Sequence, residues 1–384
     1  MNILQVMGCT SDQYASMERY LVRKAGFCKD RNHGFWVAYE SIPASEEFIQ
    51  DLQDNSGVLL ELRSSGKLDW EFYRRLYHAI KENHIEVVHA YFTPTCHYAM
   101  VASMFIGVKK RFRTSANLPY TLFKTGPKTS RYAETVFKLT QRALALFTHC
   151  IVCRSTGIQE EFVQMGIPAH KLAVASGGTD TGLYRKDAKL KNRLRGIHQI
   201  QVHCKVIGTA CRLVPVKGLE VFIQAAERLV RTRDNLLFLI IGDGPQRDEL
   251  SSLIQRLRME KYVKLMGHCN DLPDLLNLLD IFVSSSYSEG MSNSILEAMS
   301  SEVPIVVSDI APNREIFEIA EKSKCDIGER FETGSAESLA EKISLLLAKD
   351  GWEDMGRNAR KIVEDHFSLD ARIEKEFFVY DQNL

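Results

Sequence analysis

Short apolar runs rich in β-branched residues alternate along this chain with longer stretches whose apolar residues recur every three or four positions. In the first half, Ile3 to Met7, Phe35 to Tyr39, Val58 to Leu62, Ile85 to Ala90, Arg111 to Ser115, Cys150 to Cys153 and Lys171 to Ala175 read as strands. Helical spacing falls between them at Tyr14 to Arg23, Glu46 to Leu52, Trp70 to Glu82, Tyr98 to Phe105, Tyr132 to Leu146 and Gly157 to Met165. Strands that are apolar on both faces, each followed by a helix, predict a parallel sheet covered on both sides.

The rhythm breaks at residues 176–196, SGGTDTGLYRKDAKLKNRLRG, a glycine-rich and basic stretch that reads as the connection between two domains. It then restarts, with strands at Val206 to Thr209, Leu237 to Ile241, Val263 to Met266, Ile281 to Val283 and Ile305 to Val307. Helices are expected at Gly218 to Val230 and Arg247 to Leu257. The fold class is therefore α/β, two Rossmann-like doubly wound domains over 1–180 and 181–365. Ligands of such sheets bind at the carboxyl ends of the strands, so a cleft between the two domains is expected. The last helical stretches, Leu339 to Leu347, Trp352 to Asp365 and Asp370 to Tyr380, bring too few strands for a third domain. The tail, 366–384, is expected to be a helix packing back on the first domain.

Composition narrows the partners more than the fold. Lys plus Arg and Asp plus Glu balance at 49 each, which disfavours bulk nucleic-acid binding. The opening apolar run is too short for a signal peptide and no later run reaches membrane-spanning length, so the expected location is cytoplasmic. Nine cysteines are scattered, and only Cys150 and Cys153 approach metal-ligand spacing. Three apart on a strand, they face opposite sides and should neither share a metal nor bridge.

Candidate chemistry centres on SEGMSNSILEAM, Ser288 to Met299, between two apolar runs. Ser292 and Asn293 are cap residues, Gly290 lets the backbone come close to a ligand, and the first helix amides attract an anion. Glu289 and Glu297 flank that anion site. Carboxylates accept hydrogen bonds from hydroxyls, so phosphate plus hydroxyls, the make-up of a nucleotide sugar, suits the segment. A surface helix with two solvated glutamates fits the same letters. Arg212 and Lys217 flank a turn after the strand at Val206 and could steady a diphosphate leaving group, or be ordinary surface cations. Gly242-Asp243-Gly244 follows a buried strand, where a tight structural turn is the simpler reading.

In order and spacing, GTACRLVPVKGLEVFIQAA, LIIGDGPQRDEL, VKLMGHCNDLPDLLNLLDIFVSSSYSEGMSNSILEAMSSEVPIVVSD and PNREIFE resemble the nucleotide-binding half of retaining GT-B glycosyltransferases of family 4, over about 204 to 320. The resemblance implies the GT-B fold, a nucleotide-diphospho-sugar donor with UDP-sugar expected, no cofactor or metal, and hexosyl transfer with retention to a sugar or lipid-linked acceptor. Matched position by position, Glu289 contacts sugar hydroxyls, Glu297 binds ribose, and Arg212 and Lys217 grip the diphosphate. Gly290 and the amides of Met291, Ser292 and Asn293 cradle phosphate and sugar. Gly267 and His268 stand where the family's chain passes the base, and Gly242 is a further donor-side candidate. A nucleotide-sugar epimerase of the same architecture and a non-catalytic donor-binding subunit remain open.

The first half departs from the family pattern. Where members carry a Gly-Gly loop, Gly8 is followed by Cys9-Thr10-Ser11, and where many carry a histidine, Ala116-Asn117 stands. Gly8, Asn117, His89 and His97 are the acceptor-side candidates, with a core role the alternative for a histidine at a strand end. The stretch Lys109 to Arg142 holds nine basic residues against one acid, Glu134, with interleaved aromatics. It reads either as a solvated face or as a peripheral contact with an anionic membrane at its inner face.

Overall fold

The computed structural model describes residues 1–8, 14–63, 70–91, 95–116, 131–269 and 271–382. The chain divides into two units, Met1–Gly178 with Leu369–Leu384, and Thr179–Ser368.

In the first unit, apolar strand residues sort by parity. In β1 (Asn2–Met7), Ile3 and Met7 enter one core cluster while Leu4 and Val6 enter another on the opposite face. Burial on both sides is why the run has no polar alternation. The same holds for β2 (Gly34–Tyr39), β4 (Val87–Tyr91) and β6 (Cys150–Cys153), which with the less buried β3 (Gly57–Glu61), β5 (Lys110–Ser115) and β7 (Leu172–Val174) form one sheet in the order β3-β2-β1-β4-β5-β6-β7. Every adjacent pair is parallel. Cys150 and Cys153 do lie on opposite faces of β6, in different clusters, and both are free thiols. Burial pushes the Cys150 thiol up to about 12.

The chain's last helix, Leu369–Gln382, belongs to this unit and supplies Leu369, Ile373, Phe377 and Tyr380 to the cluster around Ile3.

The second unit repeats the plan with β8 (Lys205–Ala210), β9 (Leu236–Ile241), β10 (Val263–Gly267), β11 (Ile281–Ser284), β12 (Ile305–Ser308) and β13 (Gly328–Phe331). Their order is β10-β9-β8-β11-β12-β13, again all parallel. Phe238 and Ile240 pack on one face of the sheet and Leu239 and Ile241 on the other.

Two features differ from the sequence expectation. The stretch 176–196 is not a connection throughout, because the units change at Gly178 and Ala188–Ile197 is a helix of the second unit. Asp187 caps it, its carboxylate accepting from the amides of Lys189 at 2.9 Å and Leu190 at 3.0 Å. Its apolar stripe is only two leucines wide, too sparse to stand out among the cations. The edge strand β13 was also not expected. Its sequence, GERF, lacks an apolar run, and its pairing depends on Gly328, where a Cβ would stand 1.9 Å from the Ile305 carbonyl oxygen.

Candidate functional site

The carboxyl ends of β8 and β11 bring together residues some seventy positions apart. After β8 the chain makes a 3-10 turn, Pro215–Lys217, and reverses through Gly218, whose φ of 59° lies in the left-handed region. A Cβ there would approach the Ser285 carbonyl oxygen to 2.4 Å, so glycine lets this turn lie directly on the end of β11. The Ser285 hydroxyl donates to the Lys217 carbonyl at 2.9 Å, and the Tyr287 amide to that of Val216 at 2.8 Å.

This docking sets the Lys217 ammonium in ion-pair contact with the Glu289 carboxylate, both side chains largely withdrawn from solvent. The Ser286 hydroxyl donates to the same carboxylate oxygen, Oε1, at 2.9 Å. Ser286 is itself held in place, since the Ser308 hydroxyl at the end of β12 donates to its carbonyl at 2.7 Å. The Tyr287 hydroxyl donates to Glu220 at 2.6 Å, and that bond together with burial raises its phenol to about 12. Arg212 is exposed on the segment between β8 and the turn.

From Glu289 the chain runs through buried Gly290, Met291 and Ser292 into the helix Asn293–Ser300. Ser292 occupies the N-cap but its hydroxyl does not cap, lying instead 3.2 Å from the Ser294 hydroxyl. The first-turn amides have no acceptor within the helix and mark its positive end. Glu297, one turn in, is 5% exposed, so the reading of two solvated glutamates on a surface helix does not describe this segment.

Gly242, at the end of β9, has a φ of 131°, and a Cβ there would meet the Cys211 carbonyl oxygen at 1.9 Å. Its amide donates to the Gly267 carbonyl at 2.9 Å. Both glycines thus join strand ends, a structural role; His268 beside them is exposed.

The first-unit candidates fare differently. Gly8 donates its amide to the Tyr91 carbonyl at 3.0 Å, extending the β1–β4 pairing. His89 is not an acceptor-side residue: it is fully buried, with Nδ1 2.5 Å from the Tyr380 hydroxyl and Nε2 2.8 Å from that of Thr114. It belongs to a sealed polar network. There the Lys24 ammonium donates to Gln5 Oε1 at 3.0 Å, the Tyr380 hydroxyl at 2.8 Å and Glu376 Oε2 at 2.8 Å. The Arg372 guanidinium donates to Glu376 Oε1 at 3.1 Å and the Tyr91 hydroxyl at 2.5 Å. His97 is half-buried, and burial together with the nearby Arg113 charge lowers its imidazole to about 4. Asn117 lies outside the described residues.

The basic stretch Lys109 to Arg142 is not one solvated surface. Arg111 donates to the Phe147 carbonyl at 2.8 Å, Arg113 is 5% exposed and donates to Gln141 at 3.0 Å, and Arg142 donates to the Met165 carbonyl at 2.5 Å. Lys138 pairs with Glu134 at 2.7 Å. Lys124 and Lys128 lie outside the described residues.

Sequence reasoning passed over Ser285, Ser286 and Ser308, which hold the Lys217–Glu289 pair. Three serines in a row, Ser284 to Ser286, at the end of a buried strand were the available signal. Among the described residues, no His, Cys, Asp and Glu grouping could hold a metal ion, and no helix is long and apolar enough to cross a membrane.

Two family models match the chain: Glycosyltransferase Family 4 over residues 17–183 and Glycosyl transferases group 1 over residues 191–362. Similarity extends to the UDP-Gal:alpha-D-GlcNAc-diphosphoundecaprenol alpha-1,3-galactosyltransferase of Escherichia coli, 24% identical over 78% of this chain and 76% of that protein. The poly(ribitol-phosphate) alpha-N-acetylglucosaminyltransferase of Staphylococcus aureus (strain COL) is 29% identical over 44% of this chain, which spans 34% of that relative. Among solved structures, Anabaena Alr3699/HepE in complex with UDP superposes with a TM-score of 0.80 at 21% identity, covering 100% of both chains.

Proposed function

The chain belongs to the group 1 glycosyltransferases, and on that premise we propose that it transfers a hexosyl group, with retention, from a UDP-sugar to a sugar or lipid-linked acceptor. The setting is glycan or polysaccharide biosynthesis. The observation that carries the reading is the Lys217–Glu289 pair, a cation and a carboxylate held together beside the helix Asn293–Ser300. A phosphate ester carrying hydroxyls needs both kinds of group within reach.

In this reading, Lys217 and Arg212 meet the diphosphate, whose negative charge grows as the bond from the anomeric carbon to the phosphate oxygen breaks. The amides of Met291 to Asn293 add donors at the helix start. Ser286 and Lys217 both occupy Oε1 of Glu289, which leaves Oε2 to accept from a sugar hydroxyl. Glu297 takes the ribose hydroxyls. The new bond forms on the face the leaving group departs, and a leaving-phosphate oxygen takes the proton of the incoming hydroxyl. That route needs no carboxylate nucleophile and, with two cations at the diphosphate, no metal.

The relatives support the choice of donor and acceptor. The Escherichia coli protein is named for UDP-Gal and a diphosphoundecaprenol-linked sugar, and it and the Staphylococcus aureus protein are both named for alpha linkages. Transfer from an α-linked nucleotide sugar to an α-linked product is retention.

A thermal-shift panel of UDP-, GDP- and ADP-sugars tests the donor, since a ligand at a hundred times its Kd adds about 2.7 kcal/mol to stability. UDP-sugars are expected to give the largest shift. Nucleotide release with acceptor present, undiminished by chelator, is the expected turnover. Donor conversion without nucleotide release would mean an epimerase, and binding without turnover a donor-binding subunit.

A further inference from the structure

The helix Ala188–Ile197 carries four cations and no acid, divided between two stripes. On one, Lys191 donates to Asp280 at 2.8 Å and to the Leu279 carbonyl at 3.2 Å. Four residues on, Arg195 donates to the carbonyls of Gln201, Val202 and Cys204 at 2.7, 3.2 and 2.6 Å. These two cations hold the helix and the following loop to the unit. Lys189, Arg193 and Ile197, also spaced by four, line the opposite and exposed side.

Arg195 thereby fixes a loop that holds Val202 out at 95% exposure, in the segment that follows Ile197, itself 65% exposed. Beside the loop lies a groove of about 800 Å³. Leu237 and Leu239 of β9 line its floor, Lys261 and Lys264 by β10 add exposed cations, and Asp234 is an acidic residue on its wall. Exposed cations together with projecting apolar side chains on one helix and the loop after it match a bilayer interface, with phosphates outside and acyl carbons beneath.

We propose that this face of the second unit docks on an anionic lipid surface. Lys189, Arg193, Lys261 and Lys264 meet headgroup phosphates, while Ile197 and Val202 enter the acyl boundary. This surface, on the second unit, is separate from the Lys109 to Arg142 stretch of the first. The proposal stands apart from the donor chemistry and does not depend on it.

Co-sedimentation of the full chain with vesicles of phosphatidylcholine, alone or mixed with phosphatidylglycerol, tests it. Binding is expected only to the mixed vesicles and to weaken with salt. The double variant Lys189→Glu/Arg193→Glu should lower partitioning at least about tenfold. Ile197→Ser/Val202→Ser should lower the part that survives high salt. Both pairs are exposed, so melting temperature and nucleotide-sugar shifts should match the parent chain. Equal binding to neutral vesicles, or parent-level binding by the charge-reversed variant, would overturn the proposal. So would serine variants that bind as the parent does at every salt concentration, which would mark a polyanion site rather than a bilayer contact.

Discussion

The Lys24 ammonium lies 2.8 Å from the Glu376 carboxylate, with the two side chains 0% and 1% exposed. One partner comes from the helix Ser16–Asp30 and the other from the chain's last helix, so this pair ties the C-terminal segment into the first unit.

Removing one partner leaves the others' charges buried without compensation. Glu376→Ala would strand both Lys24 and Arg372, and is expected to destabilise the first unit by about 3–5 kcal/mol. Urea denaturation checks this. Loss below about 1 kcal/mol would mean that water or a rearranged partner satisfies the site.

The same network makes stability fall with acid. Burial, then the Lys24 charge, holds the His89 imidazole well below its ordinary 6.5. Burial alone would raise the Glu376 carboxyl, but the Lys24 and Arg372 charges hold it well below its ordinary 4.5. For both groups the unfolded chain binds more protons than the folded one, so stability drops as pH falls, first below the imidazole value and then below the carboxylate value. The urea midpoint should therefore decline between about pH 7 and about pH 5, with a shallower decline in His89→Gln. An unchanged slope in that variant would remove His89 from the account.

At the candidate site, Lys217→Ala should lower transfer by about two to three orders of magnitude while the melting temperature stays close to the parent value. Glu289→Gln keeps the shape but loses the charge facing Lys217, and should lose sugar discrimination as well as rate. Full activity in both would defeat the site assignment.

Two glycines should separate close approach from conformational freedom. Gly242→Ala forces a Cβ to 1.9 Å from the Cys211 carbonyl oxygen at a φ of +131°, and should cost at least about 2 kcal/mol. Gly196→Ala, in a helix and with nothing within 4 Å of its Cβ, should be neutral or stabilise by up to about 1 kcal/mol. Denaturation midpoints compare them directly.

Much of the architecture was legible because strands buried on both faces need continuous apolar runs, and helices between them need a stripe. That requirement is local, and it located β1, β8 and β9 to within a residue or two. It misplaced Ala188–Ile197 because cations that turn inward, such as Lys191 and Arg195, look in a sequence like cations that face water. The same ambiguity made Lys109 to Arg142 look like a surface. For His89 a core role and a cleft role were both open from its place at a strand end, and only the bonds of both its nitrogens within the core decide for the core.

By itself the sequence determined the spacing that sets Glu289 and Glu297 about a helix start, and the alternation of strand and helix that makes two parallel sheets. Tertiary structure alone decided which charges act on what. Lys217 reaches Glu289 only because Gly218 lets one strand end lie on another, and Lys24 meets Glu376 only because the last helix returns to the first unit. Hydrophobic periodicity is written in neighbouring residues, whereas the partner of a buried charge is set by which distant segment packs against it.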